Sequence, residues 1–292
     1  MHSDQIDIDA DQVEALIHDQ FPQLRGQPIT ELGATGTVNA IFRIGGGHAA
    51  RFPLQAVDRR LLEAEATASA EFHAHCPFPS PRPVGLGRPG HGYPLAWSVQ
   101  SWIEGQVAGP SGLADSVDFA LDLARLVAAL RAVDTGQRVF DGRGRGGELR
   151  EHDAWMEECF ARSEALLDVP RLRGMWASFR ALPPARREVM SHKDLIPGNL
   201  LVRDGRLAGV LDSGGFGPAD AALDLVAGWH LLDRQRRAVF RQALEADDVE
   251  WRRGAAWAFQ QAMGLVWYYE QSNPTMSALG RSTLARLIAD EQ

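Results

Sequence analysis

Short apolar runs separated by turn residues fill the first hundred residues, a pattern typical of β-strands. Two such runs, residues 38–44 and 48–54, flank a triple glycine and predict a hairpin. A third run, residues 96–105, predicts a strand that ends in a turn at Gly105. This part of the chain is therefore expected to form a β-sheet.

Two helices are predicted beside these strands. Residues 10–20 carry Val13, Leu16 and Ile17 at a spacing that places them on one helical face. Residues 56–75 are rich in alanine and glutamate, which favour helix. The segment CPFPSPRP follows at once, and its prolines prevent the helix from continuing.

The pattern changes near residue 114, from which apolar residues recur at helical spacing. The helices predicted from this pattern span residues 115–133, 151–168, 171–182, 219–233, 234–245, 248–270 and 277–290. Residues 199–212 interrupt them with two β-like runs joined by Asp204-Gly205, a dipeptide typical of tight hairpins. The Gly- and Arg-rich segment 135–149 is expected to be the least ordered part of the chain.

These elements predict two lobes and no internal repeat. Residues 1–103 form a small β-rich N-lobe, residues 104–292 form a larger, mainly helical C-lobe, and the connector lies near 100–113. No apolar run approaches the ~18 residues of a membrane span, and the acidic start lacks the apolar core of a signal peptide. Two cysteines, Cys76 and Cys159, cannot make a disulfide framework, so a reducing cytoplasm is expected.

Charge narrows the range of partners. The formal net charge is −8, which argues against nucleic acid and suits a cationic small molecule. No membrane partner is expected, and the oligomeric state is left open. Lys193 is the only lysine in the chain, because the other basic residues are all arginine.

Lys193 lies within the segment SHKDLIPGNLL, which holds the candidate chemistry. Asp194 is followed five residues later by Asn199, and Asp212 comes at the end of the predicted hairpin. Antiparallel strands joined by a tight turn place Asn199 and Asp212 at neighbouring ends. Oxygen ligands of this kind suit Mg²⁺, and Asp194 is then free to accept a proton from a hydroxyl or to orient it.

Each of these residues also has a simpler interpretation. The Asp-x-x-x-x-Asn spacing is common on its own, and Asp212 before two glycines is typical of a turn. Asp220 is interpreted as the N-cap of the helix that follows it. His192 is expected to be a buried, hydrogen-bonded structural residue.

The motifs HKDLIPGN and VLDSGG resemble the catalytic loop and the metal site of the protein-kinase-like fold, and the chain looks most like the aminoglycoside/macrolide phosphotransferase family. GATGTVNAIFRI, ARFP, GYPLAWSVQSWIEG, NLLVRDGRLAGVLD and PADAALDLVAGW match that family's pattern in the same order. The resemblance covers the whole chain. It implies an α+β, two-lobed protein-kinase-like fold with an antiparallel N-lobe and a helical C-lobe.

The resemblance also implies roles for individual residues. Asp194 is the catalytic residue, Asn199 and Asp212 hold Mg²⁺, His192 organises the loop, and Asp224 braces it. Two positions depart from the family's pattern: the residue between His and Asp is usually glycine but is Lys193 here, and the residue after the metal-binding Asp is usually aromatic but is Ser213 here. Assuming an extended backbone, Lys193 and Asp194 should point to opposite sides.

The nucleotide, ATP or GTP, is assigned to the N-lobe. Backbone N–H groups and hydroxyls of GATGTVN could cover the phosphates, although a plain hairpin turn fits too. The cation that the family places on the third strand is Arg51, paired with Glu65 or alternatively Glu63, although a surface ion pair is the simpler interpretation. The complete set of predicted nucleotide-binding residues is Gly33, Thr35, Gly36, Thr37, Arg51, Glu65, Gln100, Ser101, Trp102 and Ile103. Trp102 could equally belong to the core between the lobes.

The acceptor site is less well marked. Several carboxylates could bind a polycationic aminoglycoside: Asp194, Asp153, Glu157 and Glu270, with Glu158 close by. A solvated helix face explains the last four as well. Three aromatic residues, 267–269, could stack on a sugar but are expected in the core. HAHC at 73–76 resembles a metal cluster, yet its position at a helix end explains its histidines without a metal.

The sequence thus predicts an enzyme that moves the γ-phosphoryl group of ATP or GTP to a hydroxyl of an aminoglycoside-like antibiotic. Two alternatives stay open. One keeps the chemistry and changes the acceptor to a macrolide or a metabolite alcohol. The other is a catalytically idle nucleotide-binding protein, which the complete set of Asp194, Asn199 and Asp212 argues against.

Overall fold

The computed structural model describes residues 6–32, 39–109 and 112–291, and the chain divides into two compact units. The first unit contains the described parts of 1–74 together with 79–104 and 212–215. The second contains 75–78, 105–211 and 216–292. Within the described ranges, every helix falls short of the length and apolarity needed to cross a membrane.

A five-stranded antiparallel sheet forms the first unit, in the order β1-β2-β3-β5-β4. Its strands are β1 (Ile29–Leu32), β2 (Asn39–Ile44), β3 (His48–Pro53), β4 (Pro83–Gly87) and β5 (Trp97–Ser101). Two helices accompany it, α1 (Ala10–Gln20) and α2 (Arg59–His75). The predicted hairpin across the triple glycine is confirmed as β2–β3, whereas β1 and β4 were not predicted.

Stacked aromatic rings form the core of this unit. Phe52 on β3 stacks on Trp97 of β5, with ring centroids 4.7 Å apart. The hydroxyl of Tyr93 donates to the Pro53 carbonyl at 2.6 Å, so a buried polar group is satisfied. Gly87 lies against Trp97, where an added Cβ would stand 2.0 Å from the indole. A larger residue at 87 would therefore displace the ring.

Helices dominate the second unit. They are α3 (Val117–Arg131), α4 (Asp153–Ser163), α5 (Val169–Arg180), α6 (Val226–Leu231), α7 (Arg234–Ala243), α8 (Asp248–Tyr268) and α9 (Pro274–Asp290). Five short strands accompany them: β6 (Gln106–Val107), β7 (Glu188–Ser191), β8 (Leu200–Arg203), β9 (Arg206–Val210) and β10 (Gly217–Asp220). α8 is buried from Arg253 to Val266, so it is the central helix of this unit.

The predicted 199–212 hairpin is confirmed. Strands β8 and β9 pair antiparallel, and both turn residues, Asp204 and Gly205, have positive φ, as a tight hairpin turn requires. The ladder continues past Val210, because the N–H of Leu211 donates to the carbonyl of Asn199 at 2.8 Å.

The predicted helix 219–233 is wrong in its first half. Residues 217–220 form strand β10, which pairs with β7, and α6 begins only at Val226. Asp220 is therefore not the N-cap of a helix. Its carboxylate accepts the N–H of Ala222 at 3.0 Å and forms a buried ion pair with Arg253 at 2.7 Å. Every residue of PADAALDLVAGW is buried, so the run lacks the alternation of apolar and polar residues that marks a half-exposed strand. Its sequence therefore looked like part of a helix.

The segment 135–149 has little regular structure but is fixed by contacts. The N–H of Phe140 donates to Glu188 at 2.6 Å, and the carbonyl of Gly146 accepts the N–H of Asp220 at 2.7 Å. Long-range hydrogen bonds of this kind are not visible in a local composition of glycine and arginine. The segment thus contacts strands β7 and β10, while residues 136–139 and 141–144 are exposed.

The buried Asp220–Arg253 pair gives a stability prediction. Replacing Arg253 with Met leaves a carboxylate that is 2% exposed without its cation, so we expect a loss of about 3–5 kcal/mol in the free energy of unfolding. Urea denaturation measures it. The matched control is Arg186→Ala, which breaks the exposed pair with Asp247 and should cost under about 1 kcal/mol. Equal losses in both variants would contradict the prediction.

Candidate active site

Loop 192–199, in the second unit, is held by a buried carboxylate. Asp224 is 3% exposed, and its two oxygens accept the N–H of His192 at 2.8 Å and of Lys193 at 3.0 Å. His192 is buried too, with Nε2 2.9 Å from the carbonyl of Leu211 and Nδ1 accepting the N–H of Asp194 at 3.3 Å. These bonds fix the backbone on both sides of Lys193.

Lys193 adopts a left-handed backbone, with φ of 72°. The expectation of an extended backbone here is wrong. Glycine takes this conformation freely, whereas a residue with a Cβ pays for it. This geometry suits the glycine that the family resemblance implies at this position.

The Lys193 side chain is half-buried. Its Nζ lies over the Phe140 ring, 5.5 Å from the centroid. Burial lowers the pKa of Lys193, and the charges of Asp141, Asp224 and Glu188 oppose that shift. The partners of Lys193 thus differ from those of the neighbouring Asp194.

Asp194 is surrounded by donors. Arg145 and Gln261 each donate to its Oδ1 at 2.8 Å, and the side-chain nitrogen of Asn199 donates to its Oδ2 at 3.0 Å. The carboxylate remains 36% exposed, so a reactant can still reach it. Neither Arg145 nor Gln261 was predicted, because they lie 49 and 67 residues from Asp194 along the chain.

Asn199 is oriented by the same loop. Its amide nitrogen also donates to the backbone carbonyl of Asp194, at 2.9 Å. Because the nitrogen makes both bonds to Asp194, the side-chain oxygen is left free of Asp194. An amide oxygen is a hard donor of the kind that Mg²⁺ takes.

The first unit holds Asp212 and the predicted phosphate-binding cation. Arg51 on β3 donates to Asp212 Oδ1 at 3.2 Å. Asp212 has φ of 56°, a left-handed conformation that Asp tolerates better than most residues. Glu65 on α2 has a raised pKa because it is buried; the charge of Arg51 opposes this shift and that of Asp212 adds to it. Arg51, Glu65 and Asp212 therefore form one electrostatic group.

The other predicted nucleotide residues lie in or near the same unit's sheet. Gln100 and Ser101 end strand β5, and the N–H of Trp102 donates to the Gly47 carbonyl at 2.8 Å. Arg43 stacks over the Trp102 ring at 4.9 Å. Ile103 is half-buried. The predicted loop residues Gly33, Thr35, Gly36 and Thr37 lie outside the described residues.

Each predicted acceptor carboxylate has an arginine partner. Asp153 pairs with Arg180, which lowers the pKa of Asp153 chiefly through a hydrogen bond. Glu157 lies 2.6 Å from Arg173, Glu158 lies 2.8 Å from Arg162, and Glu270 lies 3.8 Å from Arg281. These side chains are engaged by the protein itself.

The described residues contain no cluster of three or more His, Cys, Asp or Glu side chains that could hold a metal. In the HAHC segment, His73 Nδ1 lies 3.0 Å from the Ser80 carbonyl. Residues 267–269 were expected in the core, which is wrong for Tyr268: it is exposed, and its ring meets those of both half-buried neighbours, Trp267 and Tyr269, edge-on.

The antiparallel sheet, the helical second unit and the braced loop define a protein with the protein-kinase-like fold, which confirms the predicted fold class. A sequence model described as the phosphotransferase enzyme family matches residues 32–257, and the chain belongs to that family. The predicted enzyme class, a phosphotransferase with an alcohol group as acceptor, is confirmed by this membership. A comparison with curated proteins found no match.

Solved structures show the same fold over nearly the whole chain. The GDP and kanamycin complex of APH(2")-IIia has a TM-score of 0.74 at 18% identity, covering 96% of this chain and 99% of that one. The GDP complex of wild-type aminoglycoside 2'-phosphotransferase-IIIa has a TM-score of 0.70 at 19% identity, covering 98% and 100%. Macrolide 2'-phosphotransferase MphH from Brachybacterium faecium has a TM-score of 0.65 at 19% identity, covering 94% and 97%.

Lys193 offers a direct test of the loop geometry, since the only lysine gives a single labelled resonance. We expect its pKa in the folded protein to lie below the ordinary value of roughly 10.4, because burial disfavours the charged form. An NMR titration of ¹³C-lysine-labelled protein measures it. At a pH between the pKa of Lys193 in the folded protein and its higher pKa in the unfolded chain, the unfolded chain binds more protons. In that range Lys193 therefore makes the free energy of unfolding rise with pH.

Asp141→Asn supplies the matched variant for this titration. It removes a nearby negative charge that favours the ammonium, so the pKa of Lys193 should fall further. A midpoint at or above the value in the urea-unfolded protein would show that the side chain is not buried against Phe140.

Proposed function

We propose that this protein transfers the γ-phosphoryl group of ATP or GTP to a hydroxyl of a small-molecule antibiotic, for which an aminoglycoside-like compound is the first candidate. The observation that carries the proposal is the state of Asp194. Its carboxylate is held from three sides yet remains open to a reactant. Positioning of this kind is what phosphoryl transfer requires of a protein.

In this proposal Asp194 receives or orients the proton of the acceptor hydroxyl. The acceptor oxygen forms a bond to the γ-phosphorus while the bond to the β,γ-bridging oxygen breaks, and the nucleoside diphosphate leaves. Arg51, with Glu65 beside it, binds the α- and β-phosphates. His192 and Asp224 keep the loop in shape.

Asn199 and Asp212 are proposed to hold Mg²⁺. The orientation of the Asn199 amide and the exposed carboxylate of Asp212 supply the hard oxygen donors that this ion takes. When bound, Mg²⁺ neutralises charge on the phosphate oxygens. The residues proposed to meet the base are Gln100, Ser101, Trp102 and Ile103, and Gly33, Thr35, Gly36 and Thr37 are proposed to cover the phosphates.

Charge at Asp194 favours a second candidate acceptor. The Arg145 guanidinium stands 2.8 Å from the carboxylate, and the carboxylates proposed to attract a polycation, Asp153, Glu157 and Glu270, are paired with arginines. Because Arg145 offsets the charge of Asp194, a substrate ammonium placed there would lose hydration for little net attraction. An acceptor with little positive charge, such as a macrolide or a metabolite alcohol, avoids this cost.

The experiment that tests the proposal compares two neighbouring variants. Asp194→Asn should lower kcat at least about a hundredfold, because a positioned acid–base group is lost. Lys193→Gly should leave kcat within about tenfold, since its side chain faces Phe140 and glycine suits its backbone. Nucleotide consumption is measured with a panel of aminoglycosides, macrolides and simple alcohols. A dead glycine variant beside an active asparagine variant would reverse the two roles.

The metal assignment has its own test. ATP or GTP should raise the melting temperature much more in Mg²⁺ than in EDTA, because Asn199 and Asp212 are proposed to contact the phosphates only through the ion. Thermal shift with nucleotide is compared in Mg²⁺ and in EDTA. Asp212→Asn should reduce the shift in Mg²⁺. Equal shifts in Mg²⁺ and EDTA would contradict the assignment.

A further inference from the structure

The proposed catalytic carboxylate has a cationic partner from a distant segment. Arg145 donates through one terminal nitrogen to Asp194 Oδ1 at 2.8 Å and to the backbone carbonyl of Lys193 at 3.2 Å. One group therefore restrains both the side chain of Asp194 and the peptide that precedes it.

The backbone of the Gly- and Arg-rich segment 135–149 holds Arg145 in place. Beyond the hydrogen bonds at Phe140 and Gly146 given above, Gly146 has φ of 127°, and a Cβ there would lie 2.7 Å from Ala219 on β10. Only glycine fits such a close approach in that conformation. The position of Arg145, the preceding residue, is thereby fixed against the strand.

A second donor is held just as firmly. Gln261 is 6% exposed, and while its nitrogen donates to Asp194, its oxygen lies 3.0 Å from Nε2 of the buried His230. His230 Nδ1 lies 2.8 Å from Thr283 Oγ1. Burial lowers the pKa of His230 to about 4, so the ring is neutral near pH 7 and the amide of Gln261 keeps its orientation.

The three donors occupy most of the hydrogen-bond acceptor positions of the Asp194 carboxylate. A carboxylate offers about four lone-pair positions, two on each oxygen. Arg145 and Gln261 fill both on Oδ1, and Asn199 fills one on Oδ2. One position on Oδ2 of Asp194 is left for a hydroxyl.

We propose that Arg145 is a positioning residue: it fixes Oδ1 of Asp194 so that the remaining position on Oδ2 receives the acceptor hydroxyl. The inference rests on the proposed function, since it needs Asp194 to be catalytic. Arg145 acts on the orientation of Asp194 and not on nucleotide binding. Its loss should therefore lower kcat and leave the nucleotide KM unchanged.

The test uses Arg145→Ala, Arg145→Lys and, as matched control, Arg143→Gln. Arg143 is an exposed residue two positions away in the same segment. We expect kcat of the alanine variant to fall about ten- to a hundredfold, since small misplacement of a reacting group has effects of this size. Lysine should recover part of the loss, and millimolar guanidinium should raise kcat of the alanine variant alone. Arg143→Gln should match wild type.

Three outcomes would overturn the inference: wild-type kcat in Arg145→Ala, a rise in nucleotide KM that accounts for the loss, or a loss that neither lysine nor guanidinium restores. A double-mutant cycle of Arg145→Ala with Asp194→Asn, read as melting temperature, tests the pairing without any turnover. Coupling supports it, and additive effects overturn it. An inactive wild-type protein would contradict the proposed function, and the cycle would still decide whether Arg145 holds Asp194.

Discussion

The left-handed turn at Lys193 is the constraint on which the candidate site depends. It turns the backbone between the buried His192 and the half-exposed Asp194. Without this turn, the Asp194 carboxylate would point in a different direction. Asp224 stabilises the turn by accepting both N–H groups that the turn leaves without strand partners. A buried carboxylate is costly to desolvate, so it is retained where its hydrogen bonds are complete.

Around this turn, the second unit assembles donors from three separate parts of the sequence. Arg145 comes from the irregular segment before α4, Gln261 from the central helix α8, and Asn199 from the loop itself. Two of them are anchored in turn: Arg145 by the close approach of Gly146 to β10, and Gln261 by the His230–Thr283 pair. A rigid frame of this kind lets a flexible carboxylate keep one orientation, which is a requirement of positional catalysis.

Arginine carries nearly all the positive charge of this chain, and its planar, forked donor group shapes the electrostatics. Arg51 binds Asp212, Arg145 binds Asp194, and Arg253 binds Asp220 in the core. These pairs leave the chain with less free negative charge than its net charge suggests. Net charge alone is therefore a poor guide to the acceptor.

The sequence by itself determined the elements whose causes are local or ordered along the chain. The β2–β3 and β8–β9 hairpins follow from turn residues between apolar runs, and the helices from α7 onward follow from apolar spacing. The order of the motifs was enough to predict the family and the class of reaction.

Tertiary structure decided what depends on distant contacts. β10 replaced a predicted helix because burial on all sides erases periodicity, and Asp220 became half of a core ion pair. Arg145 and Gln261 reach Asp194 only because packing brings together residues far apart in sequence, and no local pattern encodes such a meeting.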